Sequence, residues 1–165
     1  MSDIKNVTVL GTGVLGSQIA YQTAYSGFAV TAYDISDEIL AKAKERFEGL
    51  ASTYQADGVA GAADGKADAA LTRIAYSSDL AAAVADADLV IEAIPEVLAL
   101  KQETYEQLGK VAPAKTIFAT NSSTLLPSDL KDFTGRPKKF LALHFANQVW
   151  KFNTAEVMGL SLIHI

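Results

Sequence analysis

The stretch Ile4-Lys5-Asn6-Val7-Thr8-Val9-Leu10-Gly11-Thr12-Gly13-Val14-Leu15-Gly16 decides how this chain folds. Its first seven residues are rich in β-branched side chains and predict a short buried strand that stops at Gly11. Helical material follows from about Val14 to Ser26 and ends at Gly27. The six residues between, Gly11, Thr12, Gly13, Val14, Leu15 and Gly16, read G-x-G-x-x-G. Alone the pattern is weak, because glycines cluster in ordinary turns. Its setting is more specific: a strand before it, a helix after it, and Asp34 18 residues beyond Gly16, at the end of a second β-rich run, Phe28 to Tyr33. The first glycine permits the tight turn, the second lets a pyrophosphate approach the backbone, and the third lets helix and strand close. Backbone N–H groups of this turn and the helix dipole then stabilise phosphate. Asp34 can accept hydrogen bonds from both ribose hydroxyls and would repel a 2′-phosphate. No arginine follows in Ile35-Ser36-Asp37, so the pattern predicts NAD rather than NADP. The competing interpretation is a structural glycine turn beside a helix-proximal acid.

The alternation continues outward. Ser36 reads as an N-cap, with Asp37 and Glu38 placed well against the dipole of the next helix. Ile39, Ala43, Phe47 and Leu50 give that helix an apolar stripe. Asp57 to Asp68 is rich in Gly, Ala and Asp and predicts a surface excursion leading into a short helix. Strands are expected at Ile74–Ser77, Leu89–Ile94, Thr116–Thr120 and Lys139–Phe145. Ser78-Asp79 caps a helix bearing Leu80 and Val84. Val97, Leu100, Leu108 and Val111 mark the buried stripe of another helix, and Leu125 to Lys131 a helical turn. The expected fold is α/β: a doubly wound, mostly parallel sheet with helices on both faces.

At 165 residues, 50% hydrophobic and 20% charged, the chain suits one domain rather than a disordered segment. With no cysteine, a thiol nucleophile, a Cys-ligated metal and a disulfide scaffold are excluded. A net charge of −5 argues against nucleic acid or an anionic membrane as partner. No apolar run reaches the ~18 residues of a membrane span, and Met1 to Lys5 lack a leader pattern. A cytoplasmic protein without a metal site is therefore expected.

Only two histidines exist, His144 and His164. His144 ends an apolar strand, and ligands of open α/β sheets sit at the carboxyl ends of strands. Oxidation of an alcohol needs a base for the hydroxyl proton, and imidazole suits that task near neutral pH. Glu156 lies twelve residues on, near another expected strand, where a carboxylate could fix the tautomer. A histidine at a strand end is also commonly structural. Asn121-Ser122-Ser123-Thr124 follows a strand and either binds an oxygen or ribose, or simply caps a turn. Glu92 has the character of a strand residue paired with a neighbour. Glu96 is better placed for the cofactor crevice, and Lys101 has the character of an ordinary solvated lysine.

Taken together, Gly11–Gly16, Asp34, Ala87-Asp-Leu-Val-Ile-Glu-Ala-Ile-Pro-Glu96, Ile117-Phe-Ala-Thr-Asn-Ser-Ser123, and Leu143-His-Phe-Ala-Asn147 with Glu156 resemble the NAD-binding domain of the 3-hydroxyacyl-CoA dehydrogenase family, from about Ile4 to Gly159. The resemblance implies His144 as catalytic base and Glu156 as its paired carboxylate. It implies Ser123 and Asn147 around the substrate's 3-oxygen and the nicotinamide. It places Glu96, Lys101 and Asn121 along the cofactor site. The implied reaction is reversible oxidation of an (S)-3-hydroxyacyl-CoA by NAD, with the acyl-CoA as partner. Other possibilities are a different 3-hydroxyacid dehydrogenase, or a redox-inactive NAD-binding protein on the same fold. Families that use a lysine base would lack the His144/Glu156 pair.

The family commonly reads His-Phe-Phe-Asn-Pro where this chain has His144-Phe-Ala-Asn-Gln148, followed by Val149 and Trp150. The family also has a second, helical domain that closes the cleft and forms a homodimer. Residues 1–159 are expected to be the cofactor-binding domain, without that second domain. The last six residues, Leu160-Ser-Leu-Ile-His-Ile165, resemble a translated transposon-end sequencing adapter and are read as a non-native tail.

Overall fold

The structure is a computed structural model and describes residues 4–160. The tail reading therefore falls, apart from Leu160, outside the described residues, as does His164. Seven strands form one sheet: β1 (Asn6–Leu10), β2 (Ala29–Tyr33), β3 (Ile74–Ser77), β4 (Leu89–Glu92), β5 (Ile117–Thr120), β6 (Phe140–Phe145) and β7 (Ala155–Gly159). Their spatial order is β3-β2-β1-β4-β5-β6-β7. The first six are parallel, and β7 runs antiparallel to β6. The strand order reverses beside β1, and the crevice between the ends of β1 and β4 is where such a sheet binds ligands.

Among the described residues, six α-helices flank the sheet: α1 (Val14–Tyr25), α2 (Asp37–Ala56), α3 (Ala67–Leu71), α4 (Leu80–Val84), α5 (Leu98–Val111) and α6 (Val149–Phe152). One core cluster joins Val7 and Val9 to apolar residues of α1, α2 and α3. A second joins Leu10, Val90 and Phe118 to Tyr105 and Leu108 of α5. Strand β1 thus sends alternate side chains to opposite layers, with Thr8 tied by its hydroxyl to the Ala83 carbonyl of α4 at 2.7 Å. Strands β1, β4 and β5 are buried on both faces, which explains why their sequences are largely apolar.

The local signals act as expected at most ends. Gly27 leaves α1 at φ +101°. The Ser36 hydroxyl accepts the Ile39 N–H, and the Asp79 carboxylate accepts the Ala82 N–H at 3.0 Å. The 57–68 excursion is anchored by its neighbours: Tyr21 and Tyr25 donate to the carbonyls of Ala67 and Ala60 at 2.8 and 2.7 Å. Ala62, Ala67 and Ala70 are small enough to be buried there.

Two helix faces differ from the sequence expectation. In α2 the buried residues are Leu40, Ala43, Phe47, Ala51 and Tyr54, while Ile39 turns toward a cleft at the strand ends. In α5 the expected stripe is largely overturned: Val97, Leu100 and Val111 are exposed, and Lys101, Tyr105 and Leu108 are buried. The cause is electrostatic. Two glutamates lie on one side of α5, and the helix turns its lysine toward them.

Candidate functional site

The glycine turn uses each glycine differently. Gly11 has φ +88°, and a Cβ there would lie 2.6 Å from the Ala93 carbonyl oxygen. A Cβ on Gly16 would lie 2.0 Å from the Gly11 carbonyl oxygen, so α1 can approach β1 only with glycine here. Gly13 faces open space. It is the N-cap of α1 and offers no side-chain cap, and the first turn carries no acidic residue. The N–H groups at this helix start are thus left for an anion.

Beside the turn is a cleft of about 570 Å³, lined by Gly11, Thr12, Gly13, Asp34, Ile35 and Arg46 among others. Asp34 accepts the Thr12 N–H and hydroxyl at 2.7 and 2.6 Å through one oxygen, and the Ile35 N–H at 2.9 Å through the other. It therefore fixes the turn as well as bordering the cleft. Ile35 and Ile39 supply an apolar wall. Arg46, overlooked in the sequence, reaches from α2 to the Thr12 carbonyl. Val14 is exposed at the start of α1, whereas the Leu15 side chain packs against the core.

Free helix-start donors, a backbone bare of side chain and an acid at the end of β2 fit a dinucleotide: pyrophosphate on the turn, ribose at Asp34, a base against the isoleucines.

A second assembly occupies the ends of β4, β5 and β6. His144 and Glu156 stand directly opposite each other across the β6–β7 pair, and His144 Nδ1 lies 3.3 Å from Glu156 Oε2. A carboxylate only accepts, so Nδ1 carries the proton, and in the neutral ring it is Nε2 that holds the lone pair. Nε2 lies 3.0 Å from the Ser123 hydroxyl. The imidazole is about a quarter exposed, which leaves it reachable.

Behind Ser123 is a continuous polar scaffold. Glu96 Oε1 accepts from the Ser122 hydroxyl at 2.5 Å and from the Ser123 and Thr124 N–H groups at 3.0 Å each. Its other oxygen lies 3.2 Å from Lys101 Nζ. Lys101, 1% exposed, is fully committed: it also meets Glu92 Oε1 at 2.5 Å and the Ile94 carbonyl at 3.3 Å. Glu92, with no exposed surface, also accepts from the Ile94 N–H, the Thr120 hydroxyl and the Tyr105 hydroxyl. Lys101 is therefore not the solvated lysine its sequence setting predicts, and Glu92 is the paired strand residue expected. Burial opposes ionisation of Glu96, but the Ser122 hydroxyl, the Thr124 N–H and the Lys101 ammonium outweigh it and hold the carboxyl down at about 2.

Asn121 and Asn147 sit apart from this chain of contacts. Asn121 accepts the Phe145 N–H at 2.9 Å and clamps β5 to β6. Asn147 bonds neither His144 nor Ser123; its carbonyl oxygen is held by Gln18 of α1 at 2.9 Å. Gln18 was invisible in the sequence because nothing there pairs residues 129 positions apart. Among the described residues, no cluster of His, Asp and Glu suits a metal ion, and no helix is long and apolar enough to cross a membrane.

Residues 6–161 match the family model described as 3-hydroxyacyl-CoA dehydrogenase, NAD binding domain. The chain is 38% identical over 159 residues to the mitochondrial hydroxyacyl-coenzyme A dehydrogenase of Rattus norvegicus, covering 94% of this chain and 50% of that protein. It is 33% identical to a probable 3-hydroxybutyryl-CoA dehydrogenase of Bacillus subtilis, covering 94% and 53%. A solved structure titled for dual catalysis of dicarbonyl compounds by a diketoreductase matches with TM-score 0.95 and 70% identity, covering 98% of this chain and 56% of that one. The chain spans about half the length of the curated relatives it matches. Its cofactor is NAD, and the chain belongs to the 3-hydroxyacyl-CoA dehydrogenase NAD-binding domain family.

Proposed function

We propose that this chain is the cofactor-binding half of an NAD-dependent dehydrogenase that interconverts an (S)-3-hydroxyacyl-CoA and its 3-oxoacyl-CoA. In this proposal a second domain supplies the rest of the acyl-CoA cleft and the homodimer contact. The observation that carries the chemistry is the Ser123–His144–Glu156 alignment, at 3.0 and 3.3 Å, on the same end of the sheet as the glycine turn. NAD, when bound, supplies the two-electron acceptor. His144 Nε2 takes the proton from the substrate hydroxyl, Glu156 stabilises the imidazolium that results, and the Ser123 hydroxyl orients the substrate oxygen. Glu96 and Lys101 keep the serine loop in place. The pair of oxygens that Asp34 presents favours the unphosphorylated ribose.

A second substrate class has its own support. The relative at 70% identity is titled for dicarbonyl compounds, and Ala146 stands where the family commonly has an aromatic ring. A methyl group there takes less room beside His144 than an aromatic ring and suits a free dicarbonyl compound without CoA. Both substrates use the same base.

The test is NADH oxidation by the whole reading frame that carries this chain, with acetoacetyl-CoA and a free dicarbonyl compound offered in parallel. His144→Gln lowers turnover on either by at least ~10²-fold while NADH still quenches or enhances fluorescence on binding. Undiminished turnover in that variant overturns the assignment of the base. The ratio of kcat/KM between the two substrates decides the class.

A further inference from the structure

The segment that follows His144 departs from its family pattern, and its hydrogen bonds give the departure a role. Gln148 takes a left-handed backbone, φ +57° and ψ +53°, which a proline at this position could not adopt. It also has an N–H, and that N–H meets two side chains: Gln18 Oε1 at 2.8 Å and Asn147 Oδ1 at 3.0 Å. The Val149 N–H reaches Gln18 Oε1 as well, at 3.4 Å. A backbone N–H can only donate, so these contacts identify both side-chain oxygens without ambiguity. The Gln18 amide nitrogen is then the end that faces Asn147, and it donates to Asn147 Oδ1 at 2.9 Å. Asn147 Oδ1 holds two donors. Asn147 is exposed, and its Nδ2H2 group has no acceptor among the described residues.

We propose that Gln18 is a positioning residue that makes Asn147 a hydrogen-bond donor only, presented to the carbonyl oxygen of the nicotinamide carboxamide. This rests on the reading of the strand ends as a dehydrogenase site and adds the residue that orients it. Gln18 belongs to the helix whose start receives the pyrophosphate, so one rigid element registers both ends of the cofactor. Gln18 is 7% exposed, and its amide oxygen and nitrogen do different jobs: the oxygen holds the 147–149 backbone, the nitrogen sets the asparagine.

Gln18→Glu separates the two jobs. A carboxylate still accepts from Gln148 and Val149 but cannot donate to Asn147, and it attracts the asparagine nitrogen instead. Hydrogen exchange at the Gln148 and Val149 amides, and affinities for NADH and for ADP-ribose, which lacks nicotinamide, are measured on this chain and the variant. The expected result is unchanged exchange and a roughly tenfold loss of NADH affinity relative to ADP-ribose, the scale of one hydrogen bond. Any effect of the added charge on the phosphates acts on both ligands and cancels in that ratio. Gln18→Leu speeds exchange at both amides and lowers the same ratio. An unchanged ratio in Gln18→Glu, or equal weakening of both ligands, overturns the proposal and leaves Gln18 a structural tie. If the unsubstituted chain binds ADP-ribose and NADH equally, the nicotinamide subsite itself fails, and the dehydrogenase reading fails with it.

Discussion

Replacing Lys101 by methionine tests the scaffold on which the candidate site is built. The side chains are similar in length, so the variant removes charge and donors more than volume. Lys101 is 1% exposed and uses all three ammonium hydrogens, on Glu92, Glu96 and the Ile94 carbonyl. Breaking one partner out of a buried ion pair costs ~3–5 kcal/mol, because the other charge is left without compensation. Here Glu92 keeps three donors, from Ile94, Thr120 and Tyr105, which places the loss near ~3 kcal/mol, the lower end of that range. For a chain of this size the midpoint falls ~2–4 °C per kcal/mol, so Lys101→Met lowers it by about 6–12 °C.

Glu92→Gln is milder. Its amide nitrogen can face the Thr120 and Tyr105 hydroxyls, which can turn to accept, while Lys101 keeps Glu96. Combining the two changes removes the stranded carboxylate, so the double variant is more stable than Lys101→Met alone. The assay is urea unfolding followed by far-UV circular dichroism, with thermal melts alongside. A Lys101→Met chain within ~1 kcal/mol of the original, or a double variant weaker than both singles, refutes the claim that a buried charge cluster holds the serine loop.

Gly16→Ala puts a Cβ 2.0 Å from the Gly11 carbonyl oxygen; NADH fluorescence titration should show no saturable binding, and a chain that still binds tightly contradicts the described packing. Arg46→Ala frees the Thr12 carbonyl and should weaken NADH by about tenfold, the scale of a charge-assisted hydrogen bond; isothermal titration reads this directly. Glu96 has its carboxyl lowered from the usual 4.5 to about 2. Its contribution is complete above pH ~4.5 and is lost as pH falls through about 2, so the stability gap between the original chain and Glu96→Gln should shrink over that interval; a pH-independent gap refutes the assignment. Asp79→Ala removes the cap on Ala82 and should cost ~1 kcal/mol in the same unfolding assay.

Much of the architecture was legible because its signals are local. The glycine turn, the Ser36 and Asp79 caps and the short β-branched runs each depend on neighbours within a few residues, and they landed within a residue or two of the observed elements. The pairing of His144 with Glu156 was implied by the family resemblance; in the fold it is set by the register of β6 against β7, with α6 between them. The polar serine loop was recognisable as a strand end, but not its dependence on Glu96.

What escaped was set by contacts between distant elements. Hydrophobic periodicity assigns buried positions on the premise that buried means apolar. That premise fails for α5, where Lys101 is buried because Glu92 and Glu96 converge on it from β4 and the following turn. The energetics favour this face because the ion pair is accompanied by enough hydrogen bonds to satisfy every buried side-chain polar atom among the described residues. Exposed Val97, Leu100 and Val111 are the consequence. The same logic governs the segment after His144. Read locally, Gln148 in place of a proline is the loss of a rigid turn. In the fold it is the gain of an N–H that fixes two amides, one of them on a helix 130 residues earlier in the chain. The change therefore replaces a constraint on one backbone angle with hydrogen bonds to two side chains.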